Sequence, residues 1–248
     1  MKAIILAAGY ATRLYPLTID TPKALLPVAG KAILDHLMEK ILDNSGIDEI
    51  YVVSNDRFFT PLNEWATDAI NRYNGVRISV MNDGTTSNDN RRGAIGDILF
   101  AIEQAGIDDD ILVAASDNLL SGSLSGYFED FRRHGRDLLL CGRLPDIEER
   151  KRYAVLELDE ENRVLSLTEK PENPKTDIVA YAEYIYRRDT IPEIRRYIAE
   201  GNNPDSPGHL PEWLYRKKEV RAYIYPGQCV DIGTVKMYRE TCEAWERK

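Results

Sequence analysis

A loop of small residues followed by two cations opens the chain. Lys2–Leu6 reads as an apolar strand and runs directly into Ala7, Ala8, Gly9 and Ala11. Small residues let backbone N–H groups approach a ligand closely, and a concave run of such donors suits phosphate oxygens. Arg13 stands four residues after Gly9, and Lys23 ten after that, set among Pro16, Pro22 and Pro27. Together they imply a triphosphate cradle at the carboxyl end of a first strand. A strand ending in one glycine opens many α/β proteins. The second, spaced block Pro22-Lys23-Ala24-Leu25-Leu26-Pro27 makes this pattern specific.

Asp117 follows the apolar run Ile111–Ala115, in Ala-Ser-Asp-Asn. A carboxylate at a strand end can cap the next turn. It can also offer a hard oxygen to Mg²⁺, which takes one or two carboxylates and fills its shell with phosphate oxygens and water. The residues alone leave both uses open.

The elements that must position these groups alternate in the first half. Apolar residues from Ile33 to Leu42 recur at helical spacing, with Gly46 beyond them as the helix stop, and Glu49–Ser54 reads as a strand. A helix near Pro61–Tyr73, a strand at Val76–Met81, a helix at Ala94–Gln104 and the strand Ile111–Ala115 follow. This rhythm implies a parallel sheet with helices on both faces and ligands at the carboxyl ends of the strands. Later, Tyr153–Leu158 and Val164–Thr168 flank a polar turn as a hairpin, and Ile178–Tyr186 alternates as a strand. Helices are expected at Ile191–Glu200, Pro211–Lys217 and Val235–Arg247, with a strand at Glu219–Tyr225. No Ser/Gly linker or internal repeat interrupts the chain.

The opening resembles the sugar-phosphate nucleotidyltransferases, the pyrophosphorylases that make nucleotide sugars, and short forms similar to glucose-1-phosphate thymidylyltransferases. Leu6, Ala7, Ala8, Gly9, Thr12, Arg13 and Leu14 match their first signature, and Pro22, Lys23, Leu25, Leu26 and Pro27 the second. Ala11 stands where glycine is commoner; its methyl restricts positive φ, and the loop could still bind with that residue at negative φ. Ala32 replaces a common proline. The resemblance covers nearly the whole chain. It implies an α/β fold: a Rossmann-like three-layer sandwich on a mostly parallel mixed sheet, of the GT-A-like nucleotidyltransferase type. One domain over 1–248 is expected, with a nucleotide-binding half at about 1–135 and an acceptor-binding half at about 136–248. The β-helix domain that some relatives append is not expected, because the chain ends soon after the core.

The resemblance also implies roles. Arg13 and Lys23 would be catalytic cations on an NTP. Leu6, Ala7, Ala8, Gly9, Asn82 and Gly93 would bind the nucleotide. Asp117 and Asp231 would hold Mg²⁺, the latter within Asp231-Ile232-Gly233-Thr234, where Thr234 could cap the last helix. Asn118, Glu169, Lys170 and His209 would meet a phosphorylated small-molecule acceptor, with Lys170 on its phosphate. An amide such as Asn82 pairs with several bases, so the base stays open. Ser206-Pro207-Gly208-His209 is unusual for glucose-1-phosphate enzymes. The reaction expected is attack of an acceptor phosphate oxygen on the α-phosphorus of the NTP, with pyrophosphate leaving. That phosphate, with a second pKa of about 6, is already mostly dianionic and needs no general base. A cytidylyltransferase for phosphocholine or another non-sugar phosphomonoester remains an alternative, as does a non-catalytic regulatory homologue.

Composition narrows the partners. A net charge of −9 over 248 residues argues against nucleic acid, which needs a basic face. Three scattered cysteines show neither zinc spacing nor a disulfide framework, so a reduced, cytoplasmic protein is expected. Met1 leads straight into a strand, so no signal peptide is expected, and no apolar run approaches the ~20 residues of a membrane span. The sequence leaves the oligomeric state open, and a homo-oligomer is compatible with it.

Overall fold

The computed structural model describes residues 1–43, 46–73 and 75–245. The chain begins β1 (Lys2–Leu6), β2 (Pro27–Val28), β3 (Lys31–Ala32), α1 (Ile33–Leu42), β4 (Glu49–Ser54), α2 (Phe59–Arg72) and β5 (Arg77–Asn82). It continues through α3 (Ala94–Ala105), β6 (Ile111–Ala115), β7 (Asn118–Leu120), α4 (Ser125–His134), β8 (Asp137–Arg143), α5 (Ile147–Arg150) and β9 (Ala154–Leu158). It closes with β10 (Val164–Glu169), β11 (Ile178–Tyr186), α6 (Ile191–Ala199), α7 (His209–Leu214), β12 (Val220–Ile224), β13 (Cys229–Asp231) and α8 (Val235–Trp245). The end of the expected Val235–Arg247 helix, Glu246 and Arg247, lies outside the described residues.

The chain forms two compact units. The first comprises Met1–Arg91, Ala115–Leu124 and Gly227–Lys248, the second Arg92–Ala114 and Ser125–Pro226. In the first, β1, β4 and β5 pair in parallel, with Lys2 opposite Glu49 and Glu49 opposite Arg77. Ala3, Ile4 and Ile5 are fully buried, the continuous apolar run of a strand covered on both faces. β13 pairs antiparallel with β7, which sets Asp231 opposite Asn118. Sequence patterning missed this two-stranded ribbon, because three residues carry no readable period.

In the second unit β11 is the hub, antiparallel to β6, β8 and β9. β10 closes the expected hairpin on β9, and β12 runs parallel to β8. β11 has nine residues for this role, and its register with β8 shifts between Ala180 and Tyr184. The core is rich in tyrosine: Tyr127, Tyr184 and Tyr186 are among the largest fully buried side chains. Tyr127 can be buried because its hydroxyl donates to the carbonyls of Leu138 and Glu183, at 2.9 and 3.0 Å. The α/β expectation holds, with a mixed sheet. α4 and β8 were not anticipated.

Candidate active site

In the first unit the small-residue loop is held from below. The Ala7 N–H donates to Val53 O at 2.9 Å. Asn55, wholly buried at the end of β4, donates Nδ2 to Ala8 O at 2.8 Å and accepts the Phe58 N–H at 3.0 Å. Tyr10 OH donates to Thr85 O at 3.0 Å. Gly9 is thus left exposed at the tip, and a Cβ built there would meet nothing within 4 Å. That open space suits a backbone meant to be approached by a ligand.

Ala11 sits at φ 47°, ψ 41°, in the left-handed region rather than at negative φ. Its carbonyl explains why: it accepts from the Leu14 N–H at 2.9 Å and from Thr18 Oγ1 at 2.8 Å. These two bonds fix the turn that presents Thr12 and Arg13. Arg13 is exposed, and among the described residues no carboxylate pairs with it.

Lys23, Asp117 and Asp231 come together. The Lys23 ammonium donates to Asp117 Oδ2 and, at 3.4 Å, to Asp231 Oδ1. Asp117 reaches this place because the chain leaves β6 through Ser116, whose N–H donates to Leu6 O at 3.2 Å. One apolar cluster holds all three supports: Leu26 and Val28 follow Lys23, Leu119 lies beyond Asp117 and Asn118, and Ile232 follows Asp231. Tyr238 of α8 packs on this cluster and donates its hydroxyl to Pro27 O at 2.6 Å. Thr234 does cap α8, its Oγ1 accepting the Met237 N–H at 3.2 Å.

The donors suit a hard divalent cation. Two carboxylates converge on one positive charge. That is the donor set expected where phosphate oxygens and water complete the shell of Mg²⁺. Asn118 is buried on β7, beside Asp117. Asn82 ends β5, donating Nδ2 to Asp56 at 2.8 Å and accepting the Gly84 N–H at 2.9 Å. Each end of that amide keeps one further hydrogen-bonding position.

The second unit gathers the other candidates. Glu169 ends β10 with 5% of its side chain exposed, and Lys170 follows at φ 47°. A non-glycine residue held in the left-handed region costs energy. The Lys170 N–H donates to Tyr153 O at 3.1 Å, and its Nζ lies 3.4 Å from Glu169 Oε1. Burial pushes the Glu169 carboxyl above its ordinary range, while Lys170, His209 and Ser206 pull it back. His209 is the first residue of α7, its Nδ1 3.3 Å from Glu212 Oε2.

Gly93, at φ +78°, precedes α3, and a Cβ there would come within 2.6 Å of the Pro204 carbonyl oxygen. The first α3 amides, of Ala94 and Ile95, donate to Asp205 O and Pro204 O at 3.1 and 2.9 Å. Close packing against Pro204-Asp205 therefore already demands glycine here. Ser206 was not singled out as a site residue; its only sequence signal was the Ser-Pro-Gly-His run.

The fold is that of nucleotide-sugar pyrophosphorylases. A UDP-glucose pyrophosphorylase crystallised with UDP-glucose superposes with a TM-score of 0.83 at 21% identity, covering 99% of this chain and 98% of that one. The UDP-glucose pyrophosphorylase from Acinetobacter baumanii gives 0.79 at 17% identity, over 98% and 92%. The sequence profile described as Nucleotidyl transferase matches residues 2–248, and the chain belongs to that family. It is 29% identical over 243 residues to the glucose-1-phosphate thymidylyltransferase of Streptomyces griseus, covering 95% of this chain and 63% of that one. It is 31% identical over 235 residues to the bifunctional protein GlmU of Methanocaldococcus jannaschii, covering 94% and 51%. The chain thus spans between half and two thirds of the length of these curated relatives. No helix among the described residues is long and apolar enough to cross a membrane.

Proposed function

We propose that the protein transfers a nucleotidyl group from an NTP to a sugar 1-phosphate, releasing pyrophosphate and forming a nucleotide sugar. The observation that carries this reading is the Lys23 ammonium held by both Asp117 and Asp231, residues 94 and 208 positions away in the chain. Two carboxylates and a lysine beside an open small-residue turn suit a polyphosphate with its counter-cation. The triphosphate would lie on Ala7–Gly9 and Arg13, with Asn82 and Gly93 serving the nucleoside. Glu169, Lys170, Asn118 and His209 would serve the acceptor.

An ammonium has three N–H donors, and Lys23 commits two to carboxylates, so one remains for a phosphate oxygen. In the reaction an acceptor phosphate oxygen forms a bond to the α-phosphorus, and the bond from that phosphorus to the pyrophosphate oxygen breaks. Arg13 and Lys23 would meet the charge that builds on the leaving group, and Lys170 would hold the attacking phosphate. Two anions must be brought together, so positioning and fixed charge dominate over proton transfer. Asp117 and Asp231 would hold Mg²⁺, which when bound offsets phosphate charge. A cytoplasmic setting fits these substrates.

A pyrophosphate-release screen tests the proposal. It crosses ATP, CTP, GTP, UTP and dTTP with hexose 1-phosphates, phosphocholine and other phosphomonoesters, with Mg²⁺ present. Release with a hexose 1-phosphate supports the reading. Release only with phosphocholine or another non-sugar phosphate replaces it with the cytidylyltransferase alternative. NTP binding without release across the panel points to a regulatory homologue.

A further inference from the structure

The segment from Asn203 to His209 touches the proposed acceptor residues at three points. Lys170 Nζ donates to Ser206 Oγ at 2.5 Å. Ser206 also helps to hold the Glu169 carboxyl down against its burial. Gly208 lies flat against the same carboxylate: a Cβ there would collide with Glu169 Oε2 and stand 2.8 Å from its carboxyl carbon. The Lys170 ammonium therefore stands between the Ser206 hydroxyl and the Glu169 carboxylate, 3.4 Å from the latter. This matters because half of the Lys170 side chain, 52%, is exposed, whereas Ser206 is 7% exposed and Glu169 5%. A half-exposed lysine samples many rotamers unless something holds it.

The segment itself is well anchored. Tyr197 OH donates to Asn203 O at 2.6 Å, Asp205 N–H to Asn203 Oδ1 at 3.0 Å, and Pro204 O and Asp205 O accept the first amides of α3. A fixed hydroxyl thus meets a half-exposed ammonium.

We infer that Ser206 is a positioning residue for the acceptor: its hydroxyl directs the Lys170 ammonium toward the acceptor phosphate, while Gly208 gives Glu169 the room to stay beside it. The inference rests on the nucleotidyl-transfer reading. With one N–H on Ser206 and one facing Glu169, Lys170 keeps a single donor in a fixed direction, which suits one phosphate oxygen. The ligand class is a phosphomonoester whose body carries hydroxyls, since the adjacent buried carboxylate accepts hydrogen bonds.

The test is steady-state kinetics of pyrophosphate release on the full chain, with the fastest NTP and acceptor pair from the screen above. Ser206→Ala should raise the acceptor KM by about tenfold, while the NTP KM and kcat stay within roughly twofold, the pattern of lost ground-state binding to one substrate. Ser206→Thr should restore the acceptor KM. Ser206→Cys, near-isosteric but a weak acceptor, should repeat the shift and serves if the alanine variant does not fold. In a Lys170→Ala background, Ser206→Ala should add less than about twofold, because the two residues act as a unit. An unchanged acceptor KM in Ser206→Ala, equal changes in both KM values, or an undiminished effect on top of Lys170→Ala overturns the inference alone. Absence of turnover by the unsubstituted protein with every pair overturns the nucleotidyl-transfer reading and this inference with it.

Discussion

Replacing Lys23 by methionine tests whether this lysine is what holds the two carboxylates together. Methionine keeps an unbranched side chain of similar length and removes the charge. Lys23 Nζ is 3.4 Å from Asp231 Oδ1, a separation worth about 5 kcal/mol of attraction at an effective dielectric of ~20, and it bonds Asp117 as well. Asp117 and Asp231 keep 28% and 29% of their side chains in water and Lys23 13%, so screening and desolvation take back most of that attraction. A net loss of about 2 kcal/mol remains, inside the ~1.5–3 kcal/mol of hydrogen bonds to charged groups. For a chain of this size it lowers Tm by roughly 4–8 °C. The variant also leaves two neighbouring carboxylates without the ammonium that repels a dication. Mg²⁺ at about ten times its Kd then returns ~1.4 kcal/mol. Calorimetric melts of both proteins, with and without millimolar Mg²⁺ and with no nucleotide, measure this. The variant should melt lower and recover with Mg²⁺, and the unsubstituted protein should gain less. A variant that melts with the parent, or a parent that gains as much from Mg²⁺, refutes the reasoning.

Asp117→Asn should cut pyrophosphate release by at least about 100-fold while the circular dichroism spectrum stays native, because on the proposed reading it removes a charge acting at the phosphates rather than a packing group; turnover like the parent's in a folded variant would overturn that assignment. Ala11→Gly should raise the urea midpoint slightly. It relieves ~1–2 kcal/mol of left-handed backbone cost and gives back ~0.4–1 kcal/mol through the unfolded chain, and a lower midpoint would contradict the φ of 47°. Gly93→Ala should cost at least about 2 kcal/mol in urea unfolding, since it combines φ +78° with contacts of 2.6–2.8 Å to Pro204 and Asp205 backbone; a neutral result would mean that this backbone yields easily.

How much of this was legible in the sequence depended on whether a feature has a period or a local partner. β6 and β11 were read to the residue, because an apolar run and a strict alternation each declare themselves within a few positions. The ribbon of β7 and β13 was not, although it sets Asn118 opposite Asp231, because three-residue strands are defined only by each other. Asp231 could be nominated from its Asp-Ile-Gly-Thr setting. That it shares Lys23 with Asp117 is a property of the apolar cluster that ties Leu26, Val28, Leu119 and Ile232, and no local pattern announces it. Ala11 shows a local rule overridden: alanine prefers negative φ, yet two hydrogen bonds to its carbonyl outweigh that preference. Ser206 marks the limit from the other side. A Ser-Pro-Gly turn looks alike in any loop, and only the fold brings its hydroxyl to a lysine 36 positions earlier. The proposed phosphate-handling groups were therefore nameable from residue type, spacing and the family resemblance, whereas the groups that pack beside them could be found only once the chain was folded.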